Sequence, residues 1–588
     1  LNAAVGAAAA VDAAPVATGR VNVVAYLKDP PLAAALAAAR PAGAPRKSVP
    51  WSAEQQRAYA AQLRAQQDAV VNAAQALGAT VHGRMTNAAN GVLLSIDAAN
   101  LDALRNLSSV ATVMAVHDMR HASLSGTDDY VGATALRNRN PSIDGSGVRV
   151  AILDSGIDFT HFNLGGAGTV AAYRAAYGTP SPVIAGACGP STQNTSAPAW
   201  TSKVVGGYDF VGERWGVGSN PLQPDPNPID CQGHGTNVAD IAGGRSTDGS
   251  WTGIAPGAQL YAVKVCSAVS TSCSGLGILQ GIDWSLDPDQ NGDLSDAVDV
   301  INMSLGANFG QRENPSVLAT QVAVGFGVVV SVSAGNGGDV PFINGSPSST
   351  PEAITVAQTQ VPGQFAYPLV TNAAVGTVTN TSYQAWSNLP TANISAPLKS
   401  DPNLTAGGCA AYADPAFFAN RIALIARGTC AVSIKTANAT NAGALAVVIS
   451  DNVPAADPPS FSFGGGGTVY NTTIVVTQAI GNSLRSALAA VPVDATVSFA
   501  GRLSLDGSMA GTSSRGPNSG YVGIKPDLGA PGASVSATVD TGNGTAAFGG
   551  TSGAAPVVTG SAALLLQAEP SLQVHEVKAR LMGAANNV

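Results

Sequence analysis

The sequence predicts an α/β protein: a parallel sheet flanked by helices, preceded by a small α+β region and interrupted by a mainly β insertion. Three observations predict it. Gly147 to Leu153 is a mostly apolar, β-branched run that ends at Asp154 and a Ser-Gly turn, as a buried parallel strand does where it delivers a side chain at its C-terminal end. After Gly233-His234-Gly235-Thr236, Val238, Ile241 and Ala242 recur at helical spacing, so His234 falls in the first turn of a helix. The string G-G-T-S-G-A-A-P around Ser552 runs into an apolar helix rich in small residues, whose N-terminal dipole favours negative charge nearby.

The remaining elements follow in chain order. Residues 1–18 are alanine-rich but too weakly apolar, and without a basic front, to be an intact signal peptide, and read as a leader remnant or linker. In 19–122, Arg20 to Leu27 alternates like a strand, and Ser52 to Leu77 reads as a helix with Ser52 as N-cap and Gly78 as its stop. Thr80 to Met85, Gly91 to Ile96, an Asp97-capped helix through Leu104 and Val110 to Val116 complete a β-α-β-β-α-β order of the ferredoxin-like kind. The α/β pattern occupies 123–357, stops over 358–508 and resumes over 509–588. Within the interruption a strand (421–426), a helix (about 432–442) and an apolar strand (444–450) are legible.

Asp154, His234 and Ser552 are the residues a nucleophilic serine requires. A serine hydroxyl is a poor nucleophile at neutral pH, so an imidazole must take its proton and a carboxylate must hold that imidazole in the right tautomer. Chain order narrows the class. Asp, then His, then Ser is the order of subtilisin; α/β-hydrolases run Ser, acid, His.

On these strings the chain resembles a subtilisin-type serine protease, a subtilase. The resemblance extends to Val300–Gly306 (V-I-N-M-S-L-G), Val328–Gly337 (V-V-V-S-V-S-A-G-N-G), 345–357 and 513–532, in order. It implies a subtilisin-like parallel sheet, an acyl-enzyme mechanism on protein or peptide substrates, and Asn336 as an oxyanion donor beside the backbone N–H of Ser552. It further implies that Ser304, Leu305 and Gly306 bind substrate backbone on one side, while Ser333, Ala334 and Gly335 line the first specificity pocket. Small, uncharged lining residues suit an apolar or aromatic side chain. The N-terminal region resembles the family's propeptide, an intramolecular inhibitor and folding aid cleaved near Asp118 to Ser125. The insertion resembles a protease-associated (PA) domain. One departure is Gly553, where many relatives carry methionine.

Composition agrees with a secreted, multidomain enzyme. At 588 residues the chain exceeds a single core. Charged residues make up 11% and the net charge is -8, so there is no basic footprint for nucleic acid, and no uninterrupted strongly apolar run implies a membrane partner. Six cysteines, Cys188, Cys231, Cys266, Cys273, Cys409 and Cys430, lack metal-ligand spacing and read as disulfides of an oxidising compartment. Proximity pairs them as written, out of 15 possible connectivities. No cofactor is expected for catalysis. D-P-D-Q-N-G-D-L-S-D places Asp287, Asp289, Asn291, Asp293 and Asp296 in one loop, a candidate for a structural calcium ion, although Val298 stands where an EF-hand has its bidentate Glu. His161 and Asp158, close after Asp154, read as local support. A decayed scaffold acting by protein binding is disfavoured by the complete triad, and an esterase elbow by Ala554 where G-x-S-x-G needs glycine.

Overall fold

The computed structural model describes residues 20–585 apart from 42–43, 46, 116–118, 121–127, 140, 179–187, 189–193, 217–218, 362, 373–374, 385, 456, 460, 462–468 and 521–522. The expected leader remnant and most of the expected cleavage stretch lie outside the described residues. The chain divides into two compact units, one comprising residues up to Gln360 and from Ser513 onward, the other Val361–Thr512.

In the first unit, β1 (Arg20–Leu27), α1 (Leu32–Ala39), α2 (Ala53–Ala76), β2 (Thr80–Met85), β3 (Gly91–Asp97), α3 (Leu101–Arg105) and β4 (Val110–Ala115) build an antiparallel sheet of order β2-β3-β1-β4 with helices. Ser52 and Gln55 close a capping box at the start of α2, which satisfies two orphan N–H groups. The period of two along the strands assigns each face. Val23, Ala25, Leu27, Val92 and Leu94 pack with Val70 and Ala74 of α2 and Leu104 of α3. Val24, Tyr26 and Leu93 point the other way and join the unit's large core. α1, which has no side-chain cap to announce it, buries Leu32 and Leu36 in that same core. The N-terminal region thus has a small core of its own and is also part of the larger one.

The chain continues through β5 (Met119–Arg120), α4 (Ala133–Arg137), β6 (Arg149–Asp154), α5 (Val170–Tyr177), β7 (Val204–Asp209), α6 (His234–Gly243), β8 (Gln259–Lys264), β9 (Ser272–Cys273), α7 (Gly275–Trp284), β10 (Val300–Met303), α8 (Pro315–Phe326), β11 (Val329–Ser333) and β12 (Ile354–Thr359).

The second unit holds β13 (Phe365–Ala366), β14 (Leu369–Thr371), β15 (Thr377–Val378), β16 (Ser382–Tyr383), β17 (Ile394–Ser400), β18 (Arg421–Ala426), α9 (Val432–Asn441), β19 (Ala444–Ser450), β20 (Thr473–Val476), α10 (Gln478–Ala490), β21 (Asp494–Val497) and β22 (Leu503–Ser504). Its eight-stranded sheet runs β15-β14-β21-β17-β18-β19-β20-β16, with β17 to β20 parallel. The unit begins later than the sequence suggests, because the β12 ladder keeps Gln358 and Thr359 in the first unit's sheet.

The first unit resumes with β23 (Leu528–Pro531), β24 (Ser534–Ala537), β25 (Thr545–Phe548), α11 (Thr551–Ala568) and α12 (Val574–Ala584). Its central sheet has seven parallel strands in the order β23-β12-β11-β10-β6-β8-β7. β7 and β8 lie on one side of β6, while β10, β11, β12 and β23 follow outward on the other, so the direction of the connections reverses at the β6–β10 pair, and crevices of open α/β sheets form at such a reversal. α11 packs against α6 and against β10, β11 and β12. That contact carries Ser552 to the helix that begins with His234.

Candidate active site

Asp154 ends β6 and is fully buried. Its Oδ1 accepts from Ser155 N at 2.7 Å and meets His234 Nδ1 at 2.7 Å. A carboxylate acceptor fixes the proton on Nδ1 and turns Nε2 outward as the basic nitrogen. His234 opens α6 after Gly233, a residue in the left-handed region. Close approach demands the next glycine as well: a Cβ on Gly235 would stand 2.2 Å from Gly156 O and 3.1 Å from Asp154 Cβ.

A buried polar network holds these two segments together. Ser155 Oγ accepts from Gly235 N at 2.8 Å and donates to Asp230 Oδ1 at 3.0 Å. Asp230 Oδ1 accepts from Gly233 N, and its Oδ2 accepts from Thr236 N and Oγ1. Thr236 Oγ1 in turn accepts from Asp158 N at 2.9 Å. Burial pushes Asp158 and Asp230 each up to about 6. His161 has the supporting role expected of it, accepting from Asn163 N at Nδ1 and donating from Nε2 to Gly544 O at 3.0 Å.

Ser552 is the second residue of α11. Its Oγ donates to Ser304 O at 3.0 Å, and Ser304 Oγ donates back to Ser552 O at 3.0 Å. The return bond has a cause in the sequence. Pro556 lies four residues on and has no N–H, so the helix cannot satisfy Ser552 O in the usual way. Phe548, at the end of β25, sets its ring edge-on to His234 with centroids 5.0 Å apart, so the hairpin before the nucleophile also packs on the base. Asn336 follows β11; its Oδ1 accepts from Thr551 N at 3.1 Å and Thr551 Oγ1 at 3.2 Å. With the oxygen so engaged, the carboxamide N–H groups are the ones left to donate.

A cavity of about 200 Å³ adjoins Asn336 and is walled by Gly306, Ser333, Ala334 and Gly335, with Gly345 and Ser348 among the further lining residues. None of its lining residues is charged. A Cβ on Gly345 would stand 1.9 Å from Ala307 O. Of the expected backbone-binding residues, Gly306 lines the cavity; Ser304 and Leu305 are buried outside its lining, and Ser304 is bonded to Ser552.

The three disulfides are Cys188–Cys231, Cys266–Cys273 and Cys409–Cys430. In the acidic loop, Asp287, Asp289 and Asp296 bring carboxylate oxygens within 4.8 Å of one another. Asn291 and Asp293 face the loop's own backbone instead, accepting from Asp293 N and Ser295 N. Ser155, Asp230, Thr236, Thr551 and Phe548 are site components that the sequence reading misses. Asp230, polar and just ahead of a helix start, carries a capping signal; the others carry none.

The Subtilase family model matches residues 145–588. The chain is 27% identical over 452 residues to the minor extracellular protease Vpr of Bacillus subtilis (strain 168), covering 75% of this chain and 48% of that protein. It is 30% identical over 214 residues to subtilisin E of the same organism, covering 36% of this chain and 41% of the relative. A crystal structure of a cold adapted subtilisin-like serine proteinase aligns at 20% identity with a TM-score of 0.35, covering 75% of this chain and 83% of that one. The chain spans about half the length of the curated relatives that it matches over most of its own. Among the described residues no helix is long and apolar enough to cross a membrane. With the family model matched across the segments that carry Asp154, His234 and Ser552, the chain belongs to the subtilase family.

Proposed function

We propose that the protein is a secreted serine endopeptidase made as a zymogen. The observation that carries this is the His234–Asp154 hydrogen bond beneath a helix start that presents Ser552, with Asn336 pinned by the residue before the nucleophile. Ser552 Oγ attacks the scissile carbonyl while His234 Nε2 takes its proton. Asp154 stabilises the imidazolium and keeps its orientation. The oxygen that becomes negative gathers hydrogen bonds from Asn336 Nδ2 and from Ser552 N, one of the first-turn donors that a helix cannot satisfy. His234 then returns the proton to the leaving amine, and water releases the acyl group by the same route. The uncharged cavity takes an apolar or aromatic side chain on the acyl side of the bond.

The N-terminal region serves as the intramolecular inhibitor. Asp283, on α7, accepts from the N–H groups of Thr86, Asn87 and Ala88, and β5 lies antiparallel to β9. The insertion is taken as a PA domain that modulates access of protein substrates. Asp287, Asp289 and Asp296 fit a structural calcium ion: three carboxylates crowd together, and the buried Asp296 Oδ1 has no hydrogen-bond partner among the described residues. When bound, the ion would neutralise that charge and brace the loop before β10. Secretion is supported by the three disulfides.

Mass spectrometry of the incubated full chain tests the proposal. A new N-terminus near residue 120, together with casein hydrolysis, both absent from Ser552→Ala, is expected. A chain that neither processes itself nor reacts with a fluorophosphonate at Ser552 would rule the peptidase reading out.

A further inference from the structure

The hairpin 266–273 is fastened at its base to the catalytic aspartate's own backbone. Val265 N and Cys266 N both donate to Asp154 O, at 2.8 and 3.0 Å. Ser267 N donates to Ser272 O and Ser274 N to Val265 O, so the chain doubles back with Cys266 opposite Cys273. Ser267 Oγ accepts from Val269 N and Ser270 N and donates to Trp215 O. The disulfide Cys266–Cys273 closes this base, and both cysteines are fully buried.

The outer edge of the hairpin holds a peptide. β9 carries Met119 opposite Cys273 and Arg120 opposite Ser272, antiparallel. An edge of two residues supplies few ladder bonds, so its worth to an incoming chain depends on being held in the right place beforehand. Without the crosslink the hairpin would keep its bonds to Asp154 O and Trp215 O at one end, while Ser267 N–Ser272 O and Ser274 N–Val265 O would be left to hold the β9 arm against the entropy of closing the loop.

Resting on the peptidase reading above, we propose that Cys266–Cys273 is a positioning crosslink for substrate. It locks the Ser272–Cys273 edge to the Asp154 strand end, so that an extended peptide laid along that edge brings its scissile bond to Ser552. Its burial makes it constitutive, not a redox switch. Substrates long enough to reach β9 depend on it; an ester of one blocked amino acid, which reaches only Ser552 and the cavity, does not engage that edge.

The test compares a blocked tetrapeptide anilide with a blocked single-residue ester of the same acyl residue, in wild type and in Cys266→Ser/Cys273→Ser, both incubated as full chain until activity is constant. We expect KM for the tetrapeptide to rise about tenfold more than KM for the ester, the size of a modest misplacement, with Ser552 still labelled by a fluorophosphonate. Equal changes on the two substrates, or none, would overturn the inference alone. A wild type that hydrolyses neither would remove the peptidase reading and this inference with it. If the serine pair does not fold, Cys266→Val/Cys273→Ala refills the space with apolar atoms for the same comparison; failure of both to fold would assign the crosslink to folding and overturn its positional role.

Discussion

Hydrogen-bonding capacity sets what each residue of the site can do. Asn336 has its carbonyl oxygen committed to Thr551, which on the proposed reading leaves its amide donors for an oxyanion. Asn336→Ala should lower kcat by about 10² to 10³, the range found for such a donor in a subtilisin, with KM nearly unchanged. Thr551→Val removes Oγ1, which donates to Asn336 Oδ1 and accepts from Gly335 N at 3.2 Å. It should lower kcat about tenfold through misorientation of Asn336; a change confined to KM would refute the linkage. In the acidic loop, burial and the neighbouring Asp296 and Asp289 push Asp287 from 3.8 up to about 7. The folded chain therefore holds that proton more tightly than the unfolded chain, and stability from this group is present below about pH 4 and lost as pH rises toward 7. With chelator, thermal unfolding should show that downward slope. Calcium, which requires the ionised form, should remove the slope and raise Tm at pH 7, and a Tm indifferent to calcium would exclude the ion.

Individual elements are joined by buried polar groups more than by propensity. Lys264, ending β8, is fully buried between Asp209, at 3.1 Å, and Glu213, and those carboxylates hold it well above the ordinary lysine range despite its burial. Lys264→Met strands both acids in the interior and should cost about 3 to 5 kcal/mol, read as a shift in the urea midpoint. Strands and helices with strong local signals were legible: β1, β2 and β18 have the bounds their alternation or apolar runs give them, and Ser52 caps α2. α1 was not legible, because Pro31 offers no capping side chain and an alanine run does not reveal which face is buried. β9 is too short to carry a pattern; only a partner strand makes it one.

Across the whole chain, the first unit joins the N-terminal sheet to the large core through one face of that sheet and through Asp283. Asp283→Ala would leave buried N–H groups of Thr86, Asn87 and Ala88 without their acceptor, at about 1 to 3 kcal/mol for each group left unsatisfied. On the proposed zymogen reading, activity should then appear sooner, with inhibition by the separated N-terminal region at least about tenfold weaker; unchanged inhibition would show that these bonds do not contribute to inhibitor binding. By itself the sequence determined the order of elements and the interruption over the second unit, and it named Asp154, His234 and Ser552 as candidates from their local strings and Asn336 from its resemblance to the subtilases, because such strings of glycines and apolar residues are complete within a few residues. Tertiary structure alone decided that Asp230 ties the Asp154 turn to α6, that Ser304 answers the N–H missing at Pro556, that Asp293 leaves the carboxylate cluster while Asp296 stays in it, and that β9 is an edge. Those facts depend on groups far apart in the chain meeting in a low-dielectric interior, where a polar atom must find whatever partner the packing brings to it.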